Sequence, residues 1–175
     1  MLIRFRAAVC EIDDTTLLRL PIKASKQLTS RGQVAVHGTI NGKQFETVVE
    51  PDGNFGHWMR VDKKLVRPGD GVTVEIEASK RWPEPELPAD FEAALRAAPN
   101  KIQEVWKDIT PMARWEWVRW VNATPNPDTR RHRVEVSMSK MNNGKRRPCC
   151  FDLSSCTDPQ LAKNGRLRAP ISSSR

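Results

Sequence analysis

The side chains of this chain that could do acid–base or nucleophilic chemistry are three histidines and four cysteines. No serine or cysteine lies in the local pattern of a nucleophile elbow, and we predict no catalytic residue. His57 follows the glycine-rich residues 53–56, and loops of this kind are common ligand sites on small barrels. We therefore predict that His57, Trp58 and Arg60 bind a ligand, whereas His37 and His132 are interpreted as structural.

The cysteines are predicted to be free thiols in a reducing cytoplasm. Cys149, Cys150 and Cys156 crowd into eight residues, and nothing else in the sequence suggests export. Because Cys149 and Cys150 are adjacent, their sulfur atoms lack the spacing of the usual zinc-binding pairs. The sequence predicts neither a metal nor a cofactor, although metal binding by the three clustered thiols stays open. Their simplest role is that of small hydrophobic residues that fasten a C-terminal segment to the fold.

Positive charge is concentrated in the second half of the chain. Residues 1–89 hold 13 Lys and Arg against 12 Asp and Glu, whereas residues 90–175 hold 16 against 9. The predicted basic patch consists of Arg130, Arg131, Arg133, Lys145, Arg146 and Arg147. Such a patch can attract an acidic protein, a nucleic acid or an anionic small molecule. A solvated helix face without any partner has the same pattern.

The N-terminal half, which must position His57, has the pattern of a small β structure. Residues 3–9 alternate between apolar and other side chains, as in a strand with one buried face. Asn41 and Gly42 separate two further strand patterns, and both residue types tolerate the positive φ of a type I′ hairpin turn. About six short, turn-bounded strands fit into residues 1–82. We predict a small β-barrel that is closed or nearly closed, because open sheet edges invite aggregation.

The apolar period changes in the middle of the chain. Residues 83–87 are predicted to be a proline-rich linker. From 88 to 147 the apolar residues recur at spacings of three and four, which predicts a helical module. Thr110 and Asn126, each followed by proline, are predicted helix N-caps. The remaining residues, 148–175, are predicted to form a Cys-containing, largely irregular tail. The fold class is therefore α+β, with a barrel followed by helices.

Five segments in a fixed order make a specific combination. They are the hairpin and loop of residues 37–61, the strand of residues 69–78, and the helical patterns of residues 87–95, 109–123 and 126–151. This order resembles the bacterial YdeI/OmpD-associated family. The resemblance implies a β-barrel domain of unknown function followed by a helical segment of the bacteriocin-protection type, and it implies no established catalysis. Residues 61–70 depart from the family pattern, which has a longer helix there.

The observations together favour a non-enzymatic binding or stress-protection protein of this type, which engages an anionic partner through its basic helical module. We expect a cytoplasmic protein without a membrane span, because no stretch approaches the roughly 20 apolar residues needed to cross a bilayer. Two alternatives stay open. One is a hydrolase or transferase with a pocket between barrel and helices, and the other is a scaffold for protein–protein contacts.

Overall fold

A computed structural model describes residues 1–149 and 152–170, which divide into two compact units. The barrel unit comprises residues 1–82, 152–156 and 160–170. The helical unit comprises residues 83–149 and 157–159. Each unit has an apolar core of its own.

The barrel consists of six antiparallel strands that close on themselves, which confirms the predicted architecture. The strands are β1 (Ile3–Ile12), β2 (Thr15–Arg19), β3 (Val34–Ile40), β4 (Lys43–Pro51), β5 (His57–Arg60) and β6 (Gly71–Ala78). They lie in the order β1-β2-β5-β4-β3-β6, and β6 pairs again with β1. A four-residue helix, α1 (Ile22–Ser25), follows β2. Every strand of the barrel therefore has two neighbours, which protects the sheet from edge-to-edge association.

The predicted hairpin between β3 and β4 is confirmed. Ile40 pairs with Lys43 across a two-residue turn, and Asn41 and Gly42 have φ angles of 48° and 79°. Two successive positive φ angles fit a type I′ turn, whose twist matches that of the flanking strands.

The contracted segment of residues 61–70 closes the barrel without a helix. A single turn joins the N–H of Leu65 to the carbonyl of Asp62 at 2.9 Å. Val9 of β1 then exchanges two backbone hydrogen bonds with Gly69 and Asp70, each of 2.8 Å. These bonds place the start of β6 beside β1, and the shortened connection is sufficient for closure.

The barrel interior is filled by alternate residues of each strand. The core includes Ile3, Phe5 and Val9 of β1, Met59 of β5, and Val72, Val74 and Ile76 of β6. Full burial of such a side chain contributes roughly 1.5–3 kcal/mol. A shift of one residue would move a whole strand's apolar set to the outer face, and the alternation therefore fixes the register.

The C-terminal segment returns to the barrel and adds a two-stranded sheet. Its strands are β7 (Ala162–Lys163) and β8 (Arg166–Leu167). Cys156, Leu161 and Leu167 pack with Ile12, Leu17 and Trp58 in a second cluster, separate from the barrel interior. Gly53 marks a close backbone crossing, since a Cβ atom there would lie 1.8 Å from the carbonyl oxygen of Gly165. The segment is thus fixed to the barrel both by apolar packing and by backbone contact.

The helical unit contains four helices, as the apolar spacing predicts. They are α2 (Ala89–Ala97), α3 (Asn100–Asp108), α4 (Pro111–Asn122) and α5 (Pro127–Asn142). Both predicted N-caps are confirmed. The Thr110 hydroxyl accepts from a backbone N–H at 3.2 Å, and the Asn126 side-chain oxygen accepts from two at 2.9 and 3.1 Å. A cap of this kind stabilises its helix by about 1 kcal/mol.

Helix α4 is buried on more than one side. Trp117 and Val121 belong to the main helical core, whereas Val118 and Arg119 are buried outside it. Arg119, with only 4% of its surface exposed, has its Nε 3.4 Å from the hydroxyl of Thr157. No apolar pattern anticipates this buried charge, because the partner lies 38 residues further along the chain.

The proline-rich residues after Trp82 pack against the helical unit. The Pro83 carbonyl accepts from the Trp115 indole N–H at 2.8 Å. Glu84 pairs with Arg114 at 2.5 Å. Proline rings preclude regular structure here, but side chains of α4 hold the extended backbone in place.

Candidate functional site

The predicted ligand residues lie on β5, the shortest strand of the barrel. Side chains alternate along a strand, so His57 and Met59 point to one face and Trp58 and Arg60 to the other. Met59 belongs to the barrel interior and Trp58 to the second cluster. The structure therefore separates His57 from Trp58 and Arg60, which do not share one surface.

His57 ties together three segments at one end of the barrel. Its Nε2 lies 3.0 Å from the Gly32 carbonyl oxygen, and its backbone N–H donates to the Ser25 hydroxyl at 3.1 Å. Its own carbonyl accepts from the N–H of Leu20 at 2.9 Å. A carbonyl only accepts, so Nε2 carries the proton and Nδ1 keeps its lone pair. Among the described residues, Nδ1 has no hydrogen-bond partner.

Burial lowers the pKa of His57, because the imidazolium is disfavoured away from water. The Gly32 carbonyl and the Asp52 carboxylate raise this pKa, but their effect is smaller. Only 1% of the His57 surface is exposed. A general base must reach its substrate, so this neutral, enclosed ring is suited to positioning loops rather than to proton transfer.

Trp58 and Arg60 differ in accessibility. Trp58 is fully buried in the second cluster, and its indole N–H has no partner within residues 1–149 and 152–170. Arg60 is exposed, with its guanidinium carbon 5.5 Å from the centre of the Trp58 ring. Arg60 is thus the member of the predicted set that reaches solvent, whereas ligand contact by His57 or Trp58 would require the covering segments to open. Ligand binding by the three residues stays a prediction.

Arg130 joins α5 to α2. Its Nε and Nη2 donate to the two carboxylate oxygens of Asp90 at 2.6 and 2.9 Å, and its Nη1 donates to the Asn122 side-chain oxygen at 2.7 Å. The hydrogen bonds from Arg130 hold the pKa of Asp90 below its usual value. The guanidinium of Arg130 is therefore engaged within the helical unit.

The next two arginines of the predicted patch have different surroundings. Arg131 is 70% exposed and lies 3.2 Å from Asp128, one turn earlier on α5. Arg133 donates to the Trp120 carbonyl at 2.7 Å, and its guanidinium lies 5.4 Å from the centre of that indole ring. Arg131 therefore faces solvent, whereas Arg133 covers an aromatic ring of α4.

The last three residues of the patch follow the end of α5. Lys145 is exposed. Arg146 lies 2.6 Å from Asp108, and Arg147 forms a two-point pair with Glu116. The side chains of Arg146 and Arg147 remain 53% and 57% exposed. Glu116 raises the pKa of Arg147, so this guanidinium is charged throughout the physiological range.

The net charges of the two structural units differ from those of the two halves of the sequence. The helical unit holds 12 Lys and Arg against 10 Asp and Glu, a net charge of +2. The described barrel unit holds 16 against 11, a net charge of +5. The excess of the sequence's second half therefore lies partly in the C-terminal segment that packs on the barrel.

A basic cleft that the sequence interpretation missed lies on this C-terminal segment. It has a volume of about 550 Å³ and is lined by Lys163, Asn164, Arg166, Leu167, Arg168 and Ala169. Lys163 and Arg166 face each other across β7 and β8, both exposed. Like charges directly opposite each other destabilise a sheet. The available sequence signal was the run of residues 160–170, which contains three basic residues and no acidic one.

The described cysteines occupy three different environments. Cys156 is buried in the second cluster, Cys149 is exposed, and Cys10 is half-buried with its pKa raised by burial. Cys150 lies outside the described residues. In the described part of the chain, no group of three or more His, Cys, Asp or Glu side chains is arranged to hold a metal ion.

None of the helices in residues 1–149 and 152–170 combines the length and the apolar character that a bilayer crossing requires.

Two known families each match a part of the chain. Residues 84–144 match the family described as bacteriocin-protection, YdeI or OmpD-associated. Residues 5–79 match a domain of unknown function, DUF1905. No curated protein matches the chain. The two family matches confirm the resemblance drawn from the order of the motifs.

Proposed function

We propose that this chain acts by binding rather than by catalysis. Residues 5–79 match DUF1905 and residues 84–144 match a bacteriocin-protection, YdeI or OmpD-associated segment, and neither description names a reaction. The chain is a cytoplasmic binding or stress-protection protein that engages an anionic partner through its helical unit. The reducing cytoplasm suits the free thiol of Cys10.

The observation that carries this proposal is the arrangement of Lys145, Arg146 and Arg147. Asp108 and Glu116 orient the two guanidiniums, yet each arginine keeps more than half of its side-chain surface exposed. An arginine has five N–H donors, and the carboxylate pairs leave some of them for a partner. A side chain that is already ordered loses less conformational entropy when it binds. Arg146 and Arg147 thus provide a preorganised cationic surface, beside which Lys145 is exposed.

The burial of His57 supports the non-enzymatic side of the proposal. Of the histidines, His57 lies nearest to the glycine-rich loop, and its ring is enclosed with Nε2 bonded to a backbone carbonyl. A hydrolase that used His57 would have to release this bond before each turnover. Replacement of His57 therefore affects loop packing rather than a rate of turnover.

The low net charge of the helical unit makes the attraction short-ranged. A net charge of +2 provides little steering at physiological ionic strength, where the Debye length is about 8 Å. Contact residues should then matter more than total charge. This distinguishes the proposal from non-specific attraction by a protein of net charge +8.

The experiment compares double variants that each remove two positive charges, with immobilised heparin as the polyanion. We expect Lys145→Ala/Arg146→Ala to elute at lower salt than the wild-type chain. Asp108 is 73% exposed, so the loss of its partner costs little stability. The matched control is Lys43→Ala/Lys80→Ala, which alters exposed lysines of the barrel unit.

Two results contradict the proposed location. If Lys145→Ala/Arg146→Ala and the control variant elute at the same salt concentration, only the total charge of the chain matters. A larger effect of Lys163→Ala/Arg166→Ala would place the anionic partner in the basic cleft of β7 and β8 instead.

A further inference from the structure

An exposed apolar patch lies at the end of the barrel that His57 holds together. Among the described residues, Ile22, Phe55 and Leu153 are 48%, 82% and 47% exposed, which is unusual for large apolar side chains. We call these three residues the barrel-end patch. The patch is not part of the site proposed above.

Each of the three side chains lies close to the residues around His57, although the three are distant in sequence. The Ile22 side chain lies 3.4 Å from the position that a Cβ atom of Gly56 would occupy, and Leu153 lies 3.5 Å from the corresponding position at Gly32. Gly56 precedes His57, whose ring nitrogen lies 3.0 Å from the Gly32 carbonyl. The three members therefore belong to separate segments of the barrel unit, α1 and two loops, which meet around Gly56, His57 and Gly32.

Phe55 is held in an exposed position at a cost in backbone energy. Its φ angle is 67°, in the left-handed region that a bulky residue rarely adopts. The Asp52 carboxylate accepts from the N–H groups of Asn54 and Gly56 at 2.7 and 2.9 Å, and this frame fixes the loop. Strain of this kind concentrates at functional positions. The loop thus presents an aromatic ring to solvent instead of burying it.

The backbone of the loop tip is suited to a poorly hydrated environment. Besides the two bonds to its side chain, Asp52 donates its own N–H to the Gly56 carbonyl at 3.0 Å. The Phe55 carbonyl accepts from Arg31 at 3.4 Å. An unpaired backbone group is costly in an apolar phase, so a loop that enters such a phase must satisfy its own polar groups. The N–H groups of Asn54 and Gly56 and the carbonyls of Phe55 and Gly56 meet that condition.

The surroundings of the patch are basic. Residues 21–32 contain Lys23, Lys26 and Arg31 and no acidic residue, and all three side chains are exposed. The carboxylates of Asp52 and Asp152 lie nearby, and each accepts hydrogen bonds from its own loop. An apolar centre with a cationic rim is complementary to an anionic lipid bilayer, where apolar side chains enter the headgroup boundary and lysines contact the headgroups.

We propose that the barrel-end patch docks reversibly on the surface of an anionic lipid bilayer, with Phe55 as the inserted residue. A single-stranded nucleic acid fits less well, because two of the three apolar side chains are aliphatic and provide no stacking face. Insertion of Phe55 alone gives only weak binding to a membrane. The attraction of the lysines to anionic headgroups adds the second contribution that stable membrane contact needs. The contact is peripheral and does not require any helix to span the bilayer.

The test is cosedimentation of the full chain with vesicles of phosphatidylcholine alone or mixed with phosphatidylglycerol. We expect binding to the mixed vesicles at low salt and little binding to phosphatidylcholine. Phe55→Asn should weaken the binding about tenfold, since it removes the inserted ring while asparagine tolerates positive φ. Lys23→Ala/Lys26→Ala should weaken binding by about fivefold or more for each charge removed.

Matched controls separate docking from general attraction. Met112→Asn changes an exposed apolar residue of the helical unit, and Lys43→Ala/Lys80→Ala removes two charges elsewhere on the barrel unit. Both should bind like the wild-type chain. The proposal is overturned if the wild-type chain does not sediment with the mixed vesicles. It is equally overturned if the controls lose as much binding, or if Phe55 affects binding to an oligothymidine but not to vesicles.

Discussion

Replacement of Arg130 should destabilise the helical unit, although this residue belongs to the predicted partner-binding patch. Arg130→Ala removes two charge-assisted hydrogen bonds to Asp90 and one bond to Asn122. An exposed ion pair contributes about 0.2–1 kcal/mol. The Arg130 side chain is only 23% exposed and makes a two-point contact, so we expect a loss of about 1.5 kcal/mol in the free energy of unfolding.

The neighbouring residue provides the matched control. Arg131→Ala makes the same substitution at the next position and the same change in net charge. Arg131 is 70% exposed and has one contact of 3.2 Å to Asp128, which predicts a loss of only about 0.3 kcal/mol. Urea unfolding monitored by tryptophan fluorescence measures both losses, because Trp117 and Trp120 lie in the same unit.

A double-mutant cycle with Asp90→Ala isolates the pair itself. We expect a coupling energy of about 1 kcal/mol near neutral pH. The folded state lowers the pKa of Asp90 below its ordinary value of 3.8, so the unfolded chain binds the proton more readily. The stability that the Arg130–Asp90 pair contributes is therefore present above pH 3.8, and it is lost as the pH falls through the folded-state pKa of Asp90. Equal destabilisation by Arg130→Ala and Arg131→Ala, or a coupling energy near zero, would refute the structural role of Arg130.

Two further predictions concern the barrel unit. Gly53→Ala should destabilise the C-terminal segment by at least about 1 kcal/mol more than Gly69→Ala. Both positions have positive φ, but only at Gly53 would the new Cβ atom collide with the Gly165 carbonyl. Limited proteolysis of the C-terminal residues measures this, and equal cleavage of both variants would contradict it. For His57, whose folded-state pKa lies below 6.5, stability should be full above pH 6.5 and decline as the pH falls toward that lower pKa. Between pH 7.5 and pH 5.5, the free energy of unfolding in urea should decline less in His57→Gln than in the wild-type chain. An identical decline in both would count against the burial of a neutral His57 ring.

Features encoded by neighbouring residues were predictable from the sequence. The turn at Asn41 and Gly42 needs positive φ at two successive positions, and both residue types supply it. The caps at Thr110 and Asn126 depend on hydrogen bonds within three residues of the cap. Alternation in β1 likewise reports a buried face directly. These local rules are sufficient for the barrel and for the helices.

The surroundings of the predicted site residues were not predictable in the same way. Trp58 is buried by Leu161 and Leu167, which lie more than a hundred positions further along the chain. His57 is enclosed through contacts with Ser25 and Gly32 on other turns. The position of His57 next to a glycine-rich loop suggested exposure. Its accessibility depends on tertiary contacts that no local pattern reports.

The arginine run shows why charge counted along a sequence is a poor measure of charge in space. The carboxylates that pair with Arg130, Arg146 and Arg147 lie 40, 38 and 31 residues earlier, on other helices. A run of like charges persists along α5 and the residues that follow it because folding brings these carboxylates to it. What remains for a partner is the exposed part of each paired side chain, together with Lys145. An anionic partner must then compete with resident carboxylates, which favours partners that present several closely spaced negative groups over those with one.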